Sequence, residues 1–274
     1  MAEKWVKMVT GNGETNITSE FSRLQFLDFV EEDVQTTTNT LEIKGRDGVL
    51  AGPSTFAPFK LSLRFVYVGQ DVKDYHLYKT RLRQMIYKRE PYYIIISDMP
   101  GRKYAVLPSA ISFDDKYAAQ GECTIEFSVI KGYSESLKDT SDITFLTDYW
   151  QFENGIITDD IAYEFDRPRF SVWNGSSDEI DALMGHNLVI EIKANAPNGL
   201  KIVNHMTGDE FRYYKSMNGT LELNGVHPYV NGSRAGINTN YEYIKLQSGW
   251  NNIEIDGSGM TLESVKFKFN FIFR

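Results

Sequence analysis

The chain has 274 residues, of which 42% are hydrophobic, 14% aromatic and 24% charged. This composition is typical of a folded globular protein and excludes a disordered or low-complexity chain. Residues 1–131 carry 17 basic and 17 acidic side chains, so the formal net charge of −8 lies entirely in the second half. Such acidity argues against nucleic acid or an anionic membrane as the partner of that half.

Cysteine content and the N-terminal segment indicate where the chain folds. The single cysteine, Cys123, excludes an intramolecular disulfide framework. It shares one face of an alternating strand with Ile125 and Phe127, which predicts a small core residue and not a nucleophile. The first residues lack an apolar signal segment and no run is long enough for a membrane helix. We expect synthesis in a reducing cytosol.

Residues 31–48 are predicted to form an exposed arm. Residues 31–39 are polar and rich in threonine, which is typical of an edge strand or a projecting segment. Leu41 and Ile43 alternate with charged residues, which predicts a half-buried strand that ends at the Gly45-Arg46-Asp47-Gly48 turn. An arm of this kind can add a strand to the sheet of a neighbouring subunit.

The next segment combines two strands with a helix. Residues 59–67 alternate strictly between apolar and polar, which predicts a strand with one buried face. From Asp71 to about Lys88 the apolar residues recur every three or four positions, so we expect a helix that lies on a sheet, with Asp71 as its N-cap. Pro91 ends the helix, and residues 92–96 are apolar on both faces, as in a covered strand. We expect a short strand at 104–107 that ends at Pro108, and a polar loop at 114–116.

Basic residues cluster on and after this helix. They are Lys73, Lys79, Arg81, Arg83, Lys88, Arg89, Arg102 and Lys103. Three interpretations are open: a stripe for nucleic acid, the solvated face of the helix, or charge pairing with a neighbouring subunit.

The second half has the pattern of a β-sandwich or jelly roll. Residues 132–146 form the best candidate linker, and we place the domain boundary near residue 140. Short candidate strands at 169–173, 188–194, 211–215, 220–223, 243–246 and 250–255 alternate with Asn-Gly and Asp-Gly pairs, which favour hairpin turns. The last strand, at 265–273, places a row of phenylalanines on one face, so it must be covered.

A search for catalytic and binding motifs finds little. The four histidines are scattered, and the sequence has no HExxH, CxxC, P-loop or GxSxG motif. Adjacent carboxylates such as Asp114-Asp115 are interpreted as surface acidity. We therefore expect no enzymatic activity, no catalytic residues, no metal and no cofactor. Trp150, Trp173, Trp250 and the Tyr213-Tyr214 pair are interpreted as core residues, with a sugar-stacking platform as the alternative.

The order of strand, Gly-Arg-Asp-Gly turn, alternating strand, helix, proline and paired tyrosines resembles the N-terminal domain of the distal tail protein (Dit) family of long-tailed phages, siphoviruses that infect Gram-positive bacteria. The resemblance is clearest over residues 23–131 and looser in the second half. It implies a mainly β protein in which residues 1–139 form a β-sandwich domain with one long helix, and residues 140–274 form a galectin-like or carbohydrate-module-like β-sandwich.

The resemblance also implies a structural role in the virion, at the tail tip or baseplate. The first domain would assemble as a six-fold ring that continues the tail tube, and the second would point outward. The implied partners are the tail tube protein, the tape measure protein, the tail-associated fibre or lysin protein and baseplate or receptor-binding proteins. DNA would pass through the lumen without sequence-specific contacts, and no membrane is involved.

A closed head-to-tail ring needs two different complementary patches on each subunit. We hypothesise that the arm supplies one patch and the sheet with the basic helix supplies the other. The residues assigned to this interface are Glu31, Asp33, Thr36, Thr38, Arg46, Asp47, Arg81 and Arg83. The chief alternative function is a carbohydrate-binding module that grips a cell-surface glycan with Trp173 and Trp250; a hydrolase is third, and would need a carboxylate pair in a cleft.

Overall fold

The computed structural model describes residues 4–117, 119–142 and 161–274. These residues divide into two compact units, Met1–Ser134 with Arg274, and Glu135–Phe273. The division falls a few residues before the boundary predicted near residue 140, and part of the predicted linker lies outside the described residues. The chain is mainly β, as the sequence predicts. That the two units are separate functional domains stays a prediction.

Most strands of the first unit belong to one antiparallel sheet. Its elements are β1 (Val6–Thr10), β2 (Gly13–Asn16), α1 (Ile17–Glu20), β3 (Leu24–Glu31), β4 (Thr36–Glu42), β5 (Val49–Phe56), β6 (Phe59–Val68), α2 (Val72–Ile86), β7 (Tyr92–Ile96), β8 (Met99–Tyr117) and β9 (Gln120–Val129). The strands follow the order β2-β1-β7-β8-β9-β6-β3, while β4 and β5 form a separate two-strand sheet. Seven strands of the first unit are thus joined by one continuous ladder, and that they form a sandwich stays a prediction.

The core of this unit follows from the periodicity of β6 and α2. Alternate residues of β6 are buried. The strand pairs with β9, and Phe59 lies opposite Val129 at one end of this ladder. Helix α2 begins at its N-cap Asp71, whose side chain accepts a hydrogen bond from the Asp74 backbone amide at 2.8 Å. Its buried side chains pack on the sheet, since the rings of Tyr78 and Tyr67 stack with centroids 3.8 Å apart. The helix predicted for residues 71–88 is present as α2.

Two local predictions for the first unit are wrong, and one short helix was missed. The short helix α1 was not predicted; it begins at Asn16, which caps the Thr18 and Ser19 amides. Strand β8 continues past Pro108, where the sequence predicts an end, because the ladder shifts register there and a proline is tolerated at a bulge. The predicted polar loop at 114–116 is the far end of the same strand.

The second unit contains two antiparallel sheets. After β10 (Ser134–Ser136), at the boundary, its strands are β11 (Glu164–Phe165), β12 (Arg169–Asn174), β13 (Leu188–Ala196), β14 (Leu200–Asn204), β15 (Glu210–Tyr213), β16 (Met217–Asn224), β17 (His227–Val230), β18 (Ser233–Arg234), β19 (Gly249–Asp256), β20 (Thr261–Phe269) and β21 (Ile272–Phe273). Short 3₁₀ helices lie at Thr140–Asp142, Ala182–Met184 and Gly236–Asn238. The sheet orders are β11-β20-β13-β16-β17-β18 and β12-β19-β14-β15.

The two sheets of this unit face each other across a buried aromatic core. The rings of Phe170 on β12 and Phe267 on β20 meet edge to face with centroids 5.9 Å apart. Phe170 also stacks on Phe165 of β11 at 4.1 Å. Two packed antiparallel sheets fit the sandwich predicted for this half.

Several details of the second unit differ from the predictions. Residues 243–246 make one isolated bridge, Leu246 to Ile180, in place of the predicted strand. Asn218-Gly219 lies inside β16 and does not form a turn, whereas Asn231-Gly232 does, with positive φ at both residues. The final alternating strand breaks after Phe269, because residues 270–273 are all buried.

Candidate interaction surfaces

The arm predicted at residues 31–48 is a two-strand hairpin, β4 and β5, that extends to Phe56. Every residue of both strands is exposed. Residues 45–48 form the turn, with positive φ at Gly45 and Gly48. Strand β5 was not predicted, and it contains Gly52 and Pro53; in a hairpin that pairs on one side only, proline need not donate to a ladder.

The end of this hairpin carries an uncovered apolar cluster. Its members, called the arm tip below, are Leu41, Ile43, Val49 and Leu50. Leu41 is 62% exposed and Val49 is 52% exposed, so the prediction of a half-buried strand at 41–44 is wrong. The period-two pattern correctly indicates an apolar face, but the residues of its own unit do not cover it. Exposed apolar clusters on projecting elements are typical of binding surfaces.

The other predicted arm residues lie along the same projection. Thr36 and Thr38 are on β4, where the Thr38 hydroxyl is 2.6 Å from the Ser54 hydroxyl. Arg46 and Asp47 are exposed in the turn. Whether any of them contacts another subunit stays a prediction.

Glu31 and Asp33, the acidic residues at the base of the arm, are both exposed, but the Glu31 carboxyl also contacts a tyrosine. Glu31 ends β3, and its Oε2 accepts a hydrogen bond from the Tyr104 hydroxyl at 3.1 Å. Loss of solvent around this carboxyl raises the pKa of Glu31, although the Tyr104 hydrogen bond opposes the shift. Asp33 is exposed in the connection between β3 and β4.

Helix α2 presents a mixed surface and not a uniformly solvated one. Arg81 and Arg83 are exposed, and the Arg83 guanidinium lies 4.8 Å from the centre of the Phe113 ring. Lys79, from the same basic cluster, is instead buried, and its ammonium contacts Asp115 at 2.6 Å. We did not predict this ion pair, because Asp115 was interpreted as a carboxylate exposed to solvent. Burial of Lys79 removes one charge from the surface that the cluster was expected to offer.

The second unit has a cleft of about 760 Å³ over the outer face of the four-strand sheet. Among the side chains that line it are Arg167, Arg169, His205, Trp250, Asn252 and Glu254. We call it the Trp250 cleft. The outward residues of β12 and β19 face each other in three cross-strand pairs, which are Arg169 with Glu254, Ser171 with Asn252, and Trp173 with Trp250.

Hydrogen bonds tie the polar pairs of this face together. Arg169 donates to Oε1 of Glu254 from Nε at 3.1 Å and from Nη2 at 2.7 Å, and His205 Nε2 is 2.8 Å from Oε2. Arg169 first, and His205 second, hold the pKa of Glu254 below its usual range. Ser171 donates to the Asn252 side-chain oxygen at 2.8 Å. The carboxylate is thus oriented and partly neutralised by its neighbours.

The tryptophans assigned to a glycan platform do meet in the structure. The rings of Trp173 and Trp250 lie edge to face with centroids 5.2 Å apart; Trp173 is partly buried and Trp250 is 39% exposed. Trp150 lies outside the described residues. The sequence missed the polar residues around Trp250, since alternation shows which residues share a strand face but not that β12 pairs with β19 from about 80 residues away.

Other classes of site find little support in the described part of the chain. Over residues 4–117, 119–142 and 161–274, no cluster of three or more histidine, cysteine or acidic side chains could hold a metal ion. None of the helices described there is long and apolar enough to cross a membrane. Cys123 is buried in the core, as predicted, and burial raises the pKa of its thiol to about 12.

Comparisons with known proteins point in one direction. Residues 11–129 match the family of the phage tail protein RIFT-related domain. The crystal structure of the SPP1 Dit protein, described as a paradigm of the hub adsorption apparatus in phages that infect Gram-positive bacteria, is 11% identical and superposes with a TM-score of 0.70 over 98% of this chain and 100% of that one. No curated protein matches the chain in sequence.

Two structures of the phage P2 baseplate in its activated conformation, with Ca and with Sr, are also similar. Each is 11% identical, and their TM-scores are 0.46 and 0.47. The first covers 99% of this chain and 98% of that one, and the second covers 98% of both. Because these scores are low, the SPP1 Dit likeness carries the comparison of folds.

Proposed function

We propose that this chain is a distal tail protein of a siphophage, and that it forms a six-fold ring that joins the tail tube to the baseplate and holds the host-attachment proteins. The resemblance seen in the sequence is supported by the match of residues 11–129 to the phage tail domain family and by a fold shared with SPP1 Dit over the full length. A structural role in a phage tail or baseplate follows from both. The ring and the hub role are our proposal.

The observation that best supports a ring is the exposed arm tip. Four apolar side chains at the end of a hairpin, among them Leu41 and Leu50, lack cover within the described first unit. Covering such a cluster removes apolar surface from water, at about 25 cal/mol per Å². A neighbouring subunit in a closed ring is the partner that would cover it in every copy.

Charge supports the same pairing of patches. Residues 31–48 carry five acidic and two basic side chains, whereas α2, Val72–Ile86, carries one acidic and four basic ones. Arg81 and Arg83 are exposed on α2. Neither guanidinium makes an ion pair or a hydrogen bond with a described residue. We propose that Glu31, Asp33 and the rest of the arm contact the α2 side of the next subunit.

The further roles follow from the family. The tail tube, tape measure, fibre or lysin, and baseplate or receptor-binding proteins are the proposed partners, and the proposed location is the tail tip of the virion. The second unit, with its two packed sheets, is proposed to have the galectin-like or jelly-roll architecture and to face the baseplate. No cofactor and no catalytic step are part of this proposal.

Introduction of charged side chains at the arm tip tests the ring interface. Leu41→Glu combined with Leu50→Glu should leave the chain folded, because both positions are exposed, and should convert the ring into smaller species. Ile237→Glu is the matched control, since Ile237 is 84% exposed in the second unit. Size-exclusion chromatography with light scattering measures the mass of the species formed by each variant. An intact ring in the double variant would show that the arm tip is not the interface.

A second candidate function is glycan binding by the second unit, and the Trp250 cleft favours it. An exposed indole beside hydrogen-bonding side chains is a common arrangement for sugar recognition. Trp250→Ala should abolish binding on a glycan array without loss of secondary structure by circular dichroism. Retained binding would assign the glycan to another surface. The two functions are compatible, because they use different units.

A further inference from the structure

We propose that the Trp250 cleft selects an acidic saccharide, with the sugar ring on the Trp250 indole and a carboxylate or phosphate of the sugar on the Arg167 guanidinium. This inference rests on the second candidate function and is independent of the ring. It is argued from four features of the cleft: a fixed aromatic surface, a carboxylate whose charge is already matched, a guanidinium without a partner among the described residues, and a side-chain amide with donors to offer.

The aromatic surface is held in place before a ligand arrives. The Trp250 ring meets the Trp173 ring edge to face at an angle of 61°, and Trp173 is partly buried. This contact restricts rotation of the indole, and Trp250 lines the cleft. A platform that loses little rotamer freedom on binding favours affinity.

The carboxylate of the cleft does not repel an anion strongly. Both oxygens of Glu254 are engaged, Oε1 by Arg169 and Oε2 by His205. The lining therefore offers two guanidinium groups against one carboxylate whose charge is matched by Arg169. The cleft lining thus has an excess of positive charge, although residues 132–274 as a whole are acidic, with 20 acidic and 12 basic side chains.

Arg167 is the remaining cation of the lining. It is exposed, lines the cleft, and has neither an ion pair nor a hydrogen bond to any described residue. A guanidinium presents its donors in a planar fork that suits carboxylate or phosphate oxygens. Arg167 makes no ion pair with a described residue, and even an exposed ion pair contributes little to stability. Folding of the unit therefore does not require a cation at position 167.

The remaining polar groups suit the hydroxyl groups of a sugar. The Asn252 oxygen is taken by Ser171, and its amide nitrogen makes only a long contact of 3.8 Å to the Met206 sulfur. A sulfur acceptor is weak, so this amide has donors to offer to a ligand. An indole, an amide and a guanidinium on one face together favour a ring with hydroxyls and an acidic group over a bare anion or an apolar ligand.

The test uses the full chain and three probes in saturation-transfer NMR and calorimetry: N-acetylglucosamine 1-phosphate, glucuronic acid and neutral N-acetylglucosamine. At least one acidic probe should bind about tenfold more tightly than the neutral sugar. Arg167→Gln should remove that preference, and Trp250→Ala should remove binding of all three. Arg234→Gln and Tyr214→Ala, exposed positions away from the cleft, are the matched controls.

The contrary outcomes are distinct. Equal binding of acidic and neutral sugars would overturn the acidic preference and leave glycan binding standing. Inorganic phosphate that competes as tightly as the sugar phosphate would overturn a saccharide site and indicate a simple anion site. Absence of binding by all probes and across an array of acidic glycans would overturn both. The ring mass of Arg167→Gln should equal that of the unchanged chain, so a failure here is separate from a failure of the ring.

Discussion

The ion pair between buried Lys79 and exposed Asp115 gives a prediction whose sign and size follow from this asymmetry. The Lys79 side chain is 11% exposed, and its ammonium lies 2.6 and 2.8 Å from the two Asp115 oxygens. It also lies 4.3 Å from the centre of the Tyr75 ring. Asp115 itself is 54% exposed. Water thus reaches the carboxylate but hardly reaches the ammonium.

The two single substitutions should therefore differ in cost. Asp115→Asn keeps a side-chain oxygen for the Tyr75 hydroxyl, which donates to Asp115 Oδ1 at 2.7 Å, but it leaves a buried ammonium without its counter-charge. Loss of one partner of a fully buried pair costs about 3–5 kcal/mol; because this pair is half open to water, we expect about 2 kcal/mol. Lys79→Met keeps the apolar stem and leaves a carboxylate that water can solvate, so we expect less than about 1 kcal/mol.

Urea unfolding at pH 7, followed by circular dichroism and by tryptophan fluorescence, measures both free energies. Glu263→Gln is the control, because it removes one side of the exposed pair of Lys193 and Glu263, and it should change the free energy of unfolding by about 0.5 kcal/mol or less. If Lys79→Met costs as much as Asp115→Asn, then burial of the ammonium does not decide the energetics and the reasoning is refuted.

Three further changes test the first unit. Tyr78→Phe removes a buried hydroxyl that has no oxygen or nitrogen partner among the described residues, so the free energy of unfolding should stay equal or rise by about 1 kcal/mol; a fall of that size would show that the hydroxyl is bonded. Gly121→Ala would place a methyl carbon 2.2 Å from the Tyr75 hydroxyl, and we expect a loss of about 3 kcal/mol in the same urea assay, with an unchanged midpoint as the contrary result. Desolvation raises the pKa of Glu31 above 4.5, so its ionisation opposes folding and stability falls as pH rises from 4.5 through the folded pKa. Glu31→Gln should remove that fall and raise the melting temperature at pH 7, and an identical pH profile would refute the assignment.

The sequence predicts the elements whose periodicity matches their own burial. Strand β6 and helix α2 are found where expected, because one face of each lies on the core of its own unit. Leu41 has the same kind of pattern and yet is exposed. Alternation identifies an apolar face, but it does not tell whether the same chain or another one covers it.

The candidate sites show the same limit. Trp250 is visible in the sequence as an aromatic residue on a strand, but its relation to Arg169 and Glu254 depends on pairing between β12 and β19. Arg167, which makes no ion pair with a described residue, belongs to no motif. Lys79 was grouped with exposed basic residues because helical periodicity does not show that its stem reaches a carboxylate on β8. Long-range pairing, and not local propensity, decides these features.

The mass of the purified, unchanged chain in solution is the most direct test of the proposed ring. Sedimentation velocity and light scattering across concentration should give a closed species of six times 31.4 kDa, with no larger steps above it, since a head-to-tail ring leaves no open interface. Dissociation on dilution should proceed to the 31.4 kDa chain. A strict monomer at all concentrations, or an open series of ever larger species, would contradict a ring closed by this chain alone.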